Sequence, residues 1–373
     1  MGSNGAGPPI RNAPTARWRP PAPSRTPGEA VTQDKIVLMS LPRQLFLVSV
    51  LSFSPLAAQR NFPTPSPPHE VTITAIPEVI DAGAKWDLVW QGKENADGIV
   101  GTKDGGLLFA QEQSNHVMKL DKKGKVSIYL SAHGPGAVAI GPPMDRVLVV
   151  ERTCTDPGDQ PDLCKEPTGI AALTPGRILM ANGFSGTPLG RLNDLVADRK
   201  EGVYFTNGPG PGSGAFYLSH KGVVSSIGEN IRSNGIMLSR DEKTLYITNG
   251  PSIVALDVQP DGTAKNQREF AKLNGGVNGD GLAIDGTGRV YCATTPGVQV
   301  FSPEGKFLGL IPTPRASIST AFSGPDKKVL YAACLGALGD DGKEIATRPG
   351  VRNTAMSIYK IQMVAQGFKG RAK

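Results

Sequence analysis

The sequence predicts an all-β chain folded as a six-bladed β-propeller of four-stranded blades. Three observations carry this: a turn-rich composition, a strand motif that recurs six times, and a near-constant spacing between recurrences. Gly (46) and Pro (32) are abundant among the 373 residues, and aliphatic and aromatic residues fall in short runs separated by Gly, Pro, Asp and Asn. The motif is a turn followed by an apolar strand: Gly106-Leu107-Leu108-Phe109, Arg146-Val147-Leu148-Val149, Gly202-Val203-Tyr204-Phe205, Thr244-Leu245-Tyr246-Ile247, Arg289-Val290-Tyr291-Cys292 and Lys328-Val329-Leu330-Tyr331. With Leu108, Leu148, Tyr204, Tyr246, Tyr291 and Tyr331 as markers, the steps are 40, 56, 42, 45 and 40 residues, each suited to one four-stranded blade.

The elements follow in chain order. Residues 1–38 are rich in Pro, Arg, Gly and Ser and cannot bury enough apolar surface to fold, so they read as a disordered extension or a mis-assigned start. Residues 39–58 read as a secretion signal: Met39, a basic Arg43, an apolar run from Leu45 to Leu51 with Phe53, and Leu56-Ala57-Ala58 before Gln59. That run is short for a bilayer span, so export to the periplasm or cell exterior is expected, with no stable membrane anchor after cleavage. A linker over 59–75 then leads to a propeller over 76–373. Trp86-Asp87-Leu88-Val89-Trp90 is expected to supply the outer strand that joins the last blade to the first, which removes exposed sheet edges.

The runs beginning at Gly136, Asn193, Asn234 and Asp280 precede the marker strands and are expected to be innermost. Turns such as Asp121-Lys122-Lys123-Gly124-Lys125 and Ser302-Pro303-Glu304-Gly305-Lys306 fit tight hairpins between outer strands. The long step holds Cys154 and Cys164 around a turn-rich loop, and an exported chain meets an oxidising compartment, so a Cys154–Cys164 disulfide is expected. Cys292 and Cys334 lie in apolar strands and read as buried free thiols.

The net charge of +7 is misleading as a pointer to nucleic acid. Residues 1–58 hold six basic and two acidic residues, and the remainder carries only +3, with no basic stripe or aromatic platform. A small-molecule partner is expected instead, on a monomer or weak oligomer.

Polar residues heading the innermost strands converge on the axis of a propeller although they are far apart in sequence. They are Asp97, Asn193, Asp194, Asn234 and Asp280. Carboxylates and amides without His or Cys make an oxygen donor set suited to one divalent metal, Ca²⁺ first, with Mg²⁺, Mn²⁺ or Zn²⁺ as alternatives. The competing reading is that Asn-Gly and Asp-Gly pairs are simply turn residues. No Gly-x-Ser-x-Gly elbow or Cys/His arrangement is present, and the Gly208–Gly214 loop lacks the Lys of a phosphate loop and reads as a flexible rim loop.

At these strand heads the chain resembles the senescence-marker-protein, gluconolactonase and luciferin-regenerating-enzyme family. The matches are Arg191-Leu192-Asn193-Asp194-Leu195-Val196 with Gly202-Val203-Tyr204-Phe205-Thr206, then Ser233-Asn234-Gly235-Ile236, Ser239-Arg240-Asp241-Glu242-Lys243-Thr244-Leu245-Tyr246, Gly279-Asp280-Gly281-Leu282-Ala283-Ile284-Asp285 and Gly297-Val298-Gln299-Val300-Phe301. The resemblance implies a six-bladed propeller, an axial divalent metal and opening of a sugar lactone. It implies Asn234 and Asp280 as metal ligands, Asp280 also as general base, Asn193 as a metal-site or substrate contact, and Arg191 as substrate-facing beside Asp194. Asp97-Gly98-Ile99 stands where the family has Glu-Gly-Pro, and Ile318-Ser319-Thr320-Ala321-Phe322 replaces a stretch that often carries Asn. The function expected is metal-dependent hydrolysis of a lactone or related ester. The alternatives are an arylesterase or phosphotriesterase on the same ring, and a binding propeller with a structural metal.

Overall fold

The computed structural model describes residues 65–143, 145–152, 167–208, 213–346 and 355–372. The expected extension, signal peptide and Cys154–Cys164 disulfide lie outside the described residues. Strand β1 (Asp87–Gly92) is followed by blade I: β2 (Asp97–Gly101), β3 (Leu107–Gln111), β4 (His116–Leu120) and β5 (Val126–Ser131). Blade II is β6 (Pro135–Gly141), β7 (Arg146–Glu151), β8 (Gly169–Ala172) and β9 (Ile178–Ala181). A small hairpin, β10 (Gly183–Phe184) and β11 (Thr187–Pro188), precedes blade III: β12 (Leu195–Ala197), β13 (Val203–Asn207), β14 (Gly214–Leu218) and β15 (Val224–Ile227). Blade IV is β16 (Ser233–Leu238), β17 (Thr244–Asn249), β18 (Ser252–Val258) and β19 (Ala264–Lys272). Blade V is β20 (Gly279–Ile284), β21 (Val290–Thr294), β22 (Gly297–Phe301) and β23 (Phe307–Pro312). Blade VI is β24 (Ser317–Ser323), β25 (Val329–Leu335) and β26 (Met356–Gln362), completed by β1.

Each blade is an antiparallel meander, and the expected propeller is the observed fold. The six marker motifs are the second strands, β3, β7, β13, β17, β21 and β25. First and second strands are buried on both faces, which is why they read as continuous apolar runs, while fourth strands such as β5 and β19 are largely exposed. The core is distributed between blades. Phe109 and Ile99 meet Ala321 and Ile358 where blades I and VI face each other, and Tyr204, Ile236 and Leu282 lie in one cluster across blades III to V. Each of the larger apolar side chains, such as Ile99, Phe109 and Leu282, contributes roughly 1.5–3 kcal/mol once buried.

Ring closure takes the expected form. β1 pairs antiparallel with β26, Asp87 opposite Lys360 and Gly92 opposite Met356, and the Trp90 ring packs, tilted by 47°, at 5.1 Å from that of Phe109 of blade I. The stretch expected as a linker lies against the ring from Pro65 onward: the His69 amide donates to Pro314 O (3.0 Å), and Ile73 joins Ile76, Val79 and Ile80 in the core between blades V and VI. The outer hairpins use the expected chemistry. Asp121 Oδ1 accepts the amides of Lys123 (2.8 Å) and Lys125 (2.9 Å), and Gly124 takes the left-handed φ of 86° that closes the turn. Cys292 and Cys334 are buried free thiols, as expected. Among the described residues the only helical element is a 3-10 turn at Asn274–Gly276, and no helix is long and apolar enough to cross a membrane.

Candidate active site

The first strand of five blades begins with a break in register: between Asp97 and Val100, Pro135 and Ala137, Ser233 and Ile236, Gly279 and Leu282, and Ser317 and Ser319. Such a bulge re-aims one side chain out of the alternation of the strand. The residues presented are Asp97, Gly136, Asn234, Asp280 and Ile318, with Asn193 in the corresponding place just before β12. Asp97, Asn193, Asn234, Asp280 and Ile318 are each half-buried between buried neighbours, the pattern of side chains lining a narrow mouth.

The glycines beside them have a packing reason. A Cβ on Gly98 would stand 2.2 Å from Ala137 Cα, one on Gly235 2.2 Å from Asp280 O, and one on Gly281 3.0 Å from Ser319 Cα. Asn234-Gly235 and Asp280-Gly281 therefore lie within strands, where the next blade approaches too closely for a side chain, and the turn reading of these pairs does not hold.

Side-chain hydrogen bonds link these heads into an arc across five blades. Arg152, which follows β7, is fully buried. Its Nη1 donates to Asp97 Oδ2 (3.1 Å) and Glu112 Oε2 (3.0 Å), its Nε to Leu192 O (2.6 Å), and its Nη2 to Asn193 O (2.9 Å) and Asn193 Oδ1 (3.0 Å). Asn193 Nδ2 donates to Asn234 Oδ1, and the Asn234 side chain bonds the Asp280 carboxylate. The guanidinium rests on Gly136, where a Cβ would lie 2.0 Å from Arg152 Nε. Burial works against the charge of Arg152, but Glu112 and Asp97 more than offset it and keep the group ionised.

Asp280 lies deep in the molecule with part of its surface open to the channel. Burial pushes its carboxyl up to about 8, the charges of Asp97 and Asp194 add to the shift, and Asn234 and Arg152 oppose it. A carboxyl perturbed this far at a channel mouth is a candidate for proton transfer.

The other expected site residues divide. Asp194 is buried below the mouth, and its carboxylate accepts the amides of Leu195 (2.8 Å) and Ile236 (3.4 Å), tying blade III to blade IV. Arg191 is half-buried in the segment leading to Asn193. Sequence reasoning missed Arg152, Glu112 and Gly136. The available signals were a Gly at a strand head where other blades carry Asp or Asn, and a charged Glu151-Arg152 pair ending an apolar strand. On the blade VI side Ile318 makes the mouth apolar.

For a divalent metal, the residues fit in part. Asn193, Asn234 and Asp280 offer oxygen donors suited to a hard cation. Asp97 has both oxygens engaged, Oδ1 by the Gly98 amide (2.9 Å) and Oδ2 by Arg152. Among the described residues no group of three or more His, Cys, Asp and Glu could hold a metal, so a site built from those residues rests on amides beside at most two carboxylates. A cavity of about 730 Å³ lies at the opposite mouth, lined by Lys119, Tyr129, Lys327 and Arg371 among others. It contains no strand-head residue, and convergence of polar groups rather than volume marks the site.

Residues 170–335 match the SMP-30/Gluconolactonase/LRE-like region. A gluconolactonase of Zymomonas mobilis is 26% identical over 273 residues, which span 62% of this chain and 74% of that protein. A gluconolactonase structure from Xanthomonas campestris superposes with a TM-score of 0.61 at 19% identity, over 82% of this chain and 99% of that one. The calcium-binding protein regucalcin from Agrobacterium tumefaciens superposes with a TM-score of 0.56 at 16% identity, over 75% of this chain and 95% of that one. The two structures share the ring of blades, and the family match over residues 170–335 runs from β8 to β25 and so takes in the heads Asn193, Asn234 and Asp280.

Proposed function

We propose that the chain is a hydrolase that opens a sugar lactone or related ester at the mouth built by Asn193, Asn234 and Asp280, with one divalent metal, Ca²⁺ first among the candidates. The observation that carries this reading is the arc of amides ending on one perturbed carboxyl, Asp280, in a chain similar to a gluconolactonase. Similarity to a calcium-binding regucalcin supports the metal.

Asn193, Asn234 and Asp280 would hold the ion, which supplies Lewis-acid polarisation of the substrate carbonyl. Asp280 takes a proton from the attacking water as the water oxygen bonds to the carbonyl carbon. The same proton then goes to the ring oxygen as the carbon–oxygen bond of the lactone breaks. Asp280, whose carboxyl burial pushes up to about 8, would be drawn back down by a bound cation and so kept able to accept that proton near neutrality. Arg191, two residues before Asn193, would orient a sugar hydroxyl, and the apolar side at Ile318 would limit water in the mouth. Asp97 and Asp194 act on this site through their charge and their backbone bonds.

The test is hydrolysis of a panel of aldonolactones by the purified protein, after chelation and again with Ca²⁺, Mg²⁺, Mn²⁺ or Zn²⁺ restored. Metal-restored turnover supports a metallolactonase and names its ion. No turnover with any ion or any lactone, alongside tight sugar binding, rejects it in favour of a binding propeller. Export of the protein is a separate part of this reading, motivated by residues 39–58, and amino-terminal sequencing of secreted material should begin near Gln59.

A further inference from the structure

The mouth of the channel already contains a cation, the guanidinium of Arg152, and its place is prepared. Gly136 stands where other blades present Asp, Asn or Ile, and any side chain there would collide with Arg152 Nε and Cζ at 2.0 and 2.1 Å. Arg152 is wholly buried, so it touches no substrate, and each of its three nitrogens is bound. Of these bonds, two reach carboxylates, Asp97 and Glu112, and one reaches the side-chain oxygen of Asn193.

A carboxylate that faces a buried guanidinium is a poor partner for a second cation. Its lone pairs are directed to the N–H groups, and withdrawing it would leave Arg152 with an uncompensated charge in the interior. Asp97 is in that position, with its remaining oxygen held by the amide of Gly98 (2.9 Å). A longer side chain at this head could reach past the guanidinium; Asp97 is one methylene short of Glu.

We propose that Arg152, seated on Gly136, is a positioning residue that takes Asp97 out of the inner sphere of the metal, leaving the ion to Asn234, Asp280 and the one lone pair of Asn193 Oδ1 that the guanidinium does not engage. This deepens the metallolactonase reading and rests on it for the existence of the ion. The Gly136–Arg152 pair thus sets the affinity for divalent cations by occupying one of the available carboxylates.

Calorimetric titration of Ca²⁺ or Mn²⁺ into the purified protein tests this without any substrate. Arg152→Met should bind the ion at least about tenfold more tightly, because it frees Asp97 and removes a positive charge. The gain should disappear in the Arg152→Met, Asp97→Asn double variant. Unchanged or weaker binding by folded Arg152→Met would overturn the proposal, as would a gain that survives loss of Asp97. Should Arg152→Met fail to fold, Asp97→Asn alone decides: a change within about threefold supports the proposal, and a loss of more than about tenfold makes Asp97 a ligand and overturns it. An absence of binding heat in the unaltered protein and in Arg152→Met, with every ion, would overturn the metal reading itself, an outcome distinct from measurable but unshifted binding.

Discussion

A methyl group added at Gly235 would stand 2.2 Å from the carbonyl oxygen of Asp280, so the glycines beside Asp97, Asn234 and Asp280 matter to the site as the carboxylates do. Gly235→Ala must push blade IV from blade V. A loss of about 1–3 kcal/mol in urea unfolding is expected, with weakened turnover, and an unchanged midpoint would show that the blades yield without cost. Asp280→Asn makes the opposite prediction. Its backbone bonds are untouched, so the melting temperature should hold while kcat falls by about 10²–10⁴, the range for loss of a positioned general base. Retained turnover would remove Asp280 from the mechanism. Asp97, Asn234 and Asp280 were legible in the sequence because a polar residue recurs at the same point of successive repeats. Arg152 was not, since its place depends on a void above Gly136 that exists only once β6 and β7 have paired across a bulge.

At the scale of elements, ring closure depends on β1 reaching β26, which is separated from it by nearly the whole propeller in sequence. The pairing was legible because Trp86 to Trp90 is an apolar run with no partner nearby, while the last repeat lacks a fourth strand. Without β1, β26 becomes an open edge with unpaired amides, and Phe109 loses the Trp90 ring at 5.1 Å. Removing residues 87–92 should abolish the single cooperative unfolding transition and produce concentration-dependent association in size-exclusion chromatography. A monomeric, cooperatively unfolding product would show that interblade packing alone closes the ring.

Across the whole propeller, the segment after β26 spans the mouth opposite the candidate site and fastens several blades. Gln366 O accepts the Gly286 amide (2.7 Å), the Phe368 amide donates to Ile284 O (3.1 Å), Arg371 Nη1 donates to Leu238 O (2.8 Å), and Ala372 O accepts the Gly101 amide (3.2 Å). Lys327 Nζ gathers this segment, donating to the carbonyls of Phe368 (3.2 Å), Arg371 and Ala372 (3.1 Å). None of this was legible, since the segment is irregular and its partners are as distant in sequence as Gly101 is from Ala372. Burial, with the nearby charge of Arg371, draws Lys327 down from 10.5 to about 8. The folded chain therefore sheds a proton that the unfolded chain keeps until higher pH, so the cost of the buried charge is fully present below pH 8 and disappears as pH rises towards 10.5. At roughly 1.4 kcal/mol per pKa unit the change amounts to about 3 kcal/mol. Buried tyrosines such as Tyr246, held protonated in the fold, work in the other direction only as their own range near 10 is reached. The decisive quantity is the difference in urea midpoint between the unaltered protein and Lys327→Met, followed from pH 7.5 to 9.5. The unaltered protein should gain stability on Lys327→Met across that window; a constant difference would mean that the three carbonyls keep Lys327 charged and that the opposite mouth does not respond to pH.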